Sequence, residues 1–297
     1  MTPRSATRAP ERAEIRKTYK LYIGGKFPRT ESGRSYEVTD ARGRFWANAS
    51  QGSRKDVRDA VVAARSAFAG WAGATAYNRG QVLYRVAELM EGRRAQFVDE
   101  VSRGEGLTRP QAERVVSAAI DRWVWYAGWT DKIAQVAGNA NPVAGPYFNL
   151  SVPEPTGVVG VLAPQDSSLL GLVEVLAAPL VTGNTVVLVS SHARPLPAVT
   201  LTEVLATSDV PGGVVNVVTG SVDELGSWLA SHHDVNALDL AGAADADWAA
   251  LEGDAAGTLK RVLRPFDGEK DWAATPPGPA RALFFTETKT VWHPKGR

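Results

Sequence analysis

Four short apolar runs in the second half of the chain constrain its fold more than any other feature. They occupy residues 157–163, 184–190, 213–219 and 236–241, and they begin 27, 29 and 23 residues apart. Each is rich in Val or Leu, and helical segments lie between them near 169–181, 196–206 and 223–231. Strands that are apolar on both faces and alternate with helices at this spacing belong to a parallel sheet covered on both sides. The expected architecture is therefore α/β, a Rossmann-like doubly wound parallel sheet. Such sheets bind ligands at the carboxyl ends of their strands, here residues 164–168, 189–192, 219–221 and 242–247.

The first half of the chain supplies the covering elements. Residues 20–40 alternate apolar and polar around Gly24-Gly25 and a Ser32-Gly33 turn, which predicts short antiparallel strands. Ser53 caps a helix whose apolar positions include Val57, Val61, Ala64 and Phe68. A second helix is expected over residues 76–102 and a third over 108–134. In the third, Trp125 and Trp129 are four apart and share a face, which suits packing between helices. Residues 138–157, rich in Gly, Pro and Asn, are an excursion with a hairpin through 147–152. Residues 266–279, "FDGEKDWAATPPGP", are a polar, Pro-rich linker, and 282–292 a last strand.

Composition excludes several classes. Lys+Arg 33 against Asp+Glu 32 leaves a net charge of +1, so nucleic acid and anionic membrane are not expected partners. No apolar run reaches the roughly 18 residues of a membrane span. The first 20 residues are polar and basic, a disordered arm (1–18) rather than a secretory signal, and the cytoplasm is the expected location. There are no cysteines. Disulfides, thiolate metal sites and a cysteine nucleophile are therefore excluded. Ser167 and Ser168 lack the Gly-x-Ser-x-Gly context of a nucleophile elbow and suit helix capping. The histidines, His192, His232, His233 and His293, lack metal-ligand spacing, so no metal site is expected.

Five segments in register resemble the aldehyde dehydrogenase superfamily: "EPTGVVGVLAP", "LAAPLVTGNTVVL", "PLPAVTLTEVLATSDVPGGVVNVVTG", "LASHHDVNALDLAG" and "FFTETKTVWHP". The resemblance runs over residues 19–263 and resumes at 284–294. It implies that 19–136 and 156–264 form an NAD-binding-type domain, that 137–155 and 281–297 form a β oligomerisation flap, and that a linker (265–280) stands where the family's catalytic domain would be.

The same resemblance implies an emptied site. Pro164-Gln165-Asp166-Ser167-Ser168 replaces Pro-Trp-Asn-Phe-Pro, whose asparagine donates a hydrogen bond to the developing oxyanion. A carboxylate at Asp166 cannot donate and would repel it. Val189 and His192 stand where the family's ribose-binding Lys and Glu would be. Gly242 is kept, but Asp245 and Asp247 follow it, and their charge opposes a phosphate. Past Leu263 the family's general-base segment is missing. Glu269 is the one nearby carboxylate, and it suits a solvated linker. Pro164, Asp166, Val189, His192 and Gly242 are thus vestigial cofactor positions, and neither a cofactor nor a catalytic residue is expected on this chain.

The resemblance also implies a partner. The flap, through Tyr147, Phe148, Leu150, Val152, Phe284, Phe285, Thr288, Val291 and Trp292, would add to the edge of a neighbouring subunit's catalytic sheet. A two-fold dimer uses one surface twice, and this chain has no such sheet to return, so a reciprocal homodimer is not expected. The expectation is a catalytically inactive subunit assembling with a full-length aldehyde dehydrogenase. Residual NAD(P)-linked oxidoreduction and a nucleotide-binding sensor are the alternatives.

Overall fold

The computed structural model describes residues 16–266 and 270–296. Most of the arm expected over 1–18 lies outside these residues, as does Glu269.

The chain opens with β1 (Thr18–Tyr19), β2 (Ser35–Thr39) and β3 (Phe45–Ser50), then α1 (Arg54–Gly73), α2 (Ala76–Gly92), α3 (Arg94–Glu105), α4 (Arg109–Ala127) and α5 (Ile133–Ala137). The excursion follows as β4 (Asn139–Asn141) and β5 (Tyr147–Pro155). The core alternates strand and helix: β6 (Val158–Leu162), α6 (Leu170–Val181), β7 (Thr185–Val189), α7 (Leu196–Leu205), β8 (Val215–Val218), α8 (Val222–Ser231), β9 (Ala237–Asp239), α9 (Trp248–Ala256) and β10 (Arg261–Leu263). The chain finishes with α10 (Ala280–Phe284) and β11 (Thr286–Pro294).

The five core strands form one parallel sheet in the order β10-β9-β6-β7-β8. The chain runs outward from β6 through β7 to β8, then returns to the other side of β6. The order therefore reverses between β6 and β9, where a doubly wound sheet opens its crevice. Successive residues of a strand face opposite sides. Val159 and Val161 join the core shared with α2, α3, α4, α6 and α7, while Val158 and Leu162 join the core shared with α1, α8 and α9. Every residue of α6 is buried, as an apolar helix covering the centre of a sheet must be. The sheet is as expected, with one addition. β10, three half-exposed residues, carries no periodic signal and was not foreseen.

Several boundaries differ from expectation. The helix expected over 76–102 is two helices, because Gly92 weakens the pattern and Arg93 (φ −107°, ψ 13°) leaves it. The next stops at Gly128, with α5 separate. In the N-terminal segment β2 and β3 are antiparallel, but β1 joins β3 in parallel, and Tyr22 bridges β8 at Val217. The excursion turns at 142–146, so Tyr147–Pro155 is one strand rather than a hairpin.

The C-terminal strand begins later than 282, because α10 comes first. In a strand, adjacent Phe284 and Phe285 would point to opposite faces and one would meet water. A helical turn lets both pack on the core, and Phe285 is 0% exposed. The segment expected as a solvated linker is also packed. Trp272 is 6% exposed and lies against Gly171 of α6, where an added β carbon would come within 2.9 Å of its indole.

Glu100, on α3, is buried. Its Oε1 accepts from Thr200 Oγ1 (2.7 Å) and Gln96 Nε2 (3.0 Å), while its Oε2 has no partner. Burial pushes its carboxyl up to about 7. The folded state then binds more protons than the unfolded one from its unfolded value, about 4.3, up to about 7. Stability from this group is lost as pH rises through that window. Between pH 4.5 and 7.5, Glu100→Gln should gain about 3 kcal/mol relative to the parent, read by denaturant unfolding at the two pH values. A constant difference would show that Glu100 is solvated.

Candidate functional site

The turn after β6 carries Pro164 to Ser168 into α6. Gln165 spans inward: its Nε2 donates to Ala163 O (2.7 Å), and its Oε1 accepts from the His192 N–H (3.0 Å). Ser191 Oγ donates to Gln165 O (2.9 Å), and Arg194 Nη1 donates to Asp166 O (2.5 Å). Four hydrogen bonds thus tie down the turns after β6 and β7. Ser167 Oγ accepts from the Gly171 N–H (2.9 Å), and Glu105 Oε1 accepts from both the N–H (2.7 Å) and Oγ (2.6 Å) of Ser168. Ser167 and Ser168 are therefore held in helix-start contacts. Burial raises the Glu105 carboxyl above the usual range against the pull of those bonds.

His192 leads away from β7, its ring stacked on Tyr36 of β2 at 4.3 Å. Neither Tyr36 Oη nor His192 Nδ1 has a partner. Val189 is fully buried against the α1 and α8 side of the sheet. Gly242 packs its backbone on the end of β6, with its N–H donating to Leu162 O (2.8 Å).

Between the carboxyl ends of β6 and β9 lies a cleft of about 740 Å³. It brings together Pro164, Asp166 and Gly242, three of the five vestigial positions, and excludes Val189 and His192. Asp166 and Asp245 are its carboxylates, Arg264 and Lys270 its cations, and Trp248, Phe266 and Trp272 its aromatic walls. Arg264 is paired with Glu252 (3.0 Å). Lys270 sits 3.7 Å from the Phe266 ring centre and 4.3 Å from that of Trp272, and burial, then Arg281, lowers its ammonium pKa. The described residues of the cleft provide no hydroxyl, thiol or imidazole. Nor do the described residues contain a cluster of three or more His, Asp or Glu able to hold a metal.

Beneath the cleft lie two buried ion pairs that local sequence patterns did not single out. Arg281 of α10 pairs with Asp239 at the end of β9, and Arg122 of α4 pairs with Glu174 of α6. Tyr126 Oη also donates to Glu174 (2.9 Å), and Arg122 donates to Thr275 O (3.1 Å). Glu174 was the available signal. A lone carboxylate inside "LGLVEVLAAPLV" has to find a buried partner.

The flap is the three-stranded antiparallel sheet β11-β5-β4, with β11 paired to β5 along nine positions. The expected interface residues divide. Phe148, Leu150, Val152 and Val291 share one exposed face. Tyr147 and Trp292 meet edge to face at 5.8 Å on the other, beside buried Asn149 and Ser151, and Thr288 opposite Pro153 shares that side. Phe285 belongs to the core, and Phe284, partly buried, packs against it beside the flap. Among the described residues no helix is long and apolar enough to cross a membrane.

The aldehyde dehydrogenase family model matches residues 28–272. The cytosolic 10-formyltetrahydrofolate dehydrogenase of Pongo abelii is 32% identical over 88% of this chain and 30% of its own. The mitochondrial benzaldehyde dehydrogenase of Antirrhinum majus is 31% identical over 84% of this chain and 47% of its own. Among solved structures, the NAD+ complex of the Bacillus cereus aldehyde dehydrogenase superposes with a TM-score of 0.79 at 29% identity, covering 83% of this chain and 50% of that one. The chain spans about half, or less, of the length of the curated relatives it matches. With the β6–β9 crevice, the sheet order and this match in agreement, the chain belongs to the aldehyde dehydrogenase family.

Proposed function

We propose that this chain is a catalytically inactive subunit that assembles with, and stabilises or regulates, a catalytically competent NAD(P)-dependent aldehyde dehydrogenase. The observation that carries the reading is the inverted flap. Asn149 and Ser151 are turned inward, while Phe148 (55% exposed), Leu150 and Val152 face outward beside Val291. A sheet that buries Asn149 and Ser151 while a stripe of Phe148, Leu150, Val152 and Val291 faces outward invites a protein partner. β11 also ends the flap sheet, with its outer edge unpaired among the described residues, and such an edge can take a strand from another chain.

Two further points support it. Only residues 264–279 separate β10 from α10, whereas a domain takes about 50 residues or more. No thiol exists for covalent catalysis. A reciprocal homodimer is not expected, since among the described residues a second copy offers no catalytic-domain sheet to receive the flap. The test is co-expression with full-length aldehyde dehydrogenases of the same organism, followed by size-exclusion chromatography. Co-elution with one of them is expected, and Leu150→Asp together with Phe148→Asp should abolish it without unfolding the chain. A stable monomer that co-elutes with none of them would refute the reading.

A further inference from the structure

In doubly wound folds the dinucleotide lies at the carboxyl ends of the strands, its pyrophosphate on free N–H groups of a helix N-terminus. In this chain each helix that follows a strand of the parallel sheet on that face has part of its N-terminus occupied or stripped of donors from within. At α6, Glu105 and Ser167 take the N–H groups of Ser168 and Gly171. α7 opens on Pro195-Leu196-Pro197, and two prolines remove two donors. At α8, Ser221 accepts from Asp223, and Asp223 and Glu224 fill the first turn. At α9, Asp247 accepts from the Ala250 N–H (3.0 Å), with Asp245 beside it. The turns after β6 and β7 are tied together through Gln165, Ser191 and Arg194, and the Tyr36–His192 stack covers the end of β7.

The residues present therefore do not fit a dinucleotide. Where phosphate would need donors, the chain supplies its own acceptors at α6, α8 and α9 and prolines at α7; in the remaining cleft the carboxylates of Asp166 and Asp245 stand against two cations, of which Arg264 is paired with Glu252 and Lys270 is held over Phe266 and Trp272. We infer that this face has been rebuilt from a dinucleotide mouth into a self-capped, phosphate-rejecting surface, so that the chain takes up neither NAD nor NADP. Any nucleotide in an assembly is then carried by the partner. The inference concerns this chain alone, and its readout, nucleotide binding, is separate from co-elution.

The experiment is calorimetric titration and thermal melting of the purified chain with NAD+, NADH and NADP+. No saturable heat and no rise in Tm are expected, whereas a ligand at about 100 times its Kd would raise Tm by several degrees. A second arm compares the parent with Glu105→Ala plus Ser167→Ala, which frees the Ser168 and Gly171 N–H groups at the start of α6, using inorganic pyrophosphate as the probe. Pyrophosphate should raise the Tm of the variant and leave the parent unchanged. Saturable dinucleotide binding to the parent, or the same pyrophosphate response in both proteins, overturns the inference. If the double variant does not fold, the titration of the parent decides.

Discussion

Arg281→Ala should destabilise the folded chain by about 3–5 kcal/mol, the cost of stranding one member of a buried ion pair. Arg281 and Asp239 have side-chain exposures of 7% and 0%. The Asp239 carboxylate would keep one further donor, the Ala241 N–H at 3.1 Å. The substitution also removes the guanidinium lying 5.2 Å from the Phe266 ring centre, which loosens the strap of residues 270–279 over α6. Removing both charges together, as Arg281→Met with Asp239→Leu, should cost much less, since no unpaired charge is left behind. Guanidinium unfolding of the three variants measures this. A loss below about 1 kcal/mol for Arg281→Ala would mean that water already reaches Asp239.

Gly242→Ala should cost about 3 kcal/mol or more, at the upper end for overpacking. An added β carbon would lie 1.8 Å from Ala163 O, 2.4 Å from Ala163 C and 2.9 Å from Leu162 O. All three obstacles are backbone, so no rotamer change relieves them. Gly253 in α9 is the control, with nothing within 4 Å of its own added β carbon. Gly253→Ala should stabilise by up to about 1 kcal/mol, as alanine does in an exposed helix. If Gly242→Ala melts with the parent, the turn after β9 does not press on β6 as described. The contrast also gives Gly242 its role: it lets one turn close against its neighbour.

Much of the fold was legible because its signals are local. Val and Leu runs at regular spacing mark β6 to β9, and Ser53 as a cap marks the start of α1, where the structure adds the reciprocal bond to Asp56. Less of the candidate site was legible. Pro164, Asp166 and Gly242 do line one cleft, but Val189 is core and His192 stacks on a tyrosine from an early strand. Phe284 and Phe285 looked like strand residues because two adjacent aromatics are compatible with either element. Burial against α6 decided between them.

The sequence by itself determined the parallel α/β core, the absence of cysteine and the short polar stretch over 265–280, because composition, spacing and periodicity are properties of neighbouring residues. Only the tertiary structure decided which distant groups meet around the crevice. Glu105 meets Ser168, Arg122 meets Glu174 and Arg281 meets Asp239 across separations of 63, 52 and 42 residues. No local pattern specifies such pairs. They form because burying each charge or polar group alone would cost more than bringing its distant partner to it.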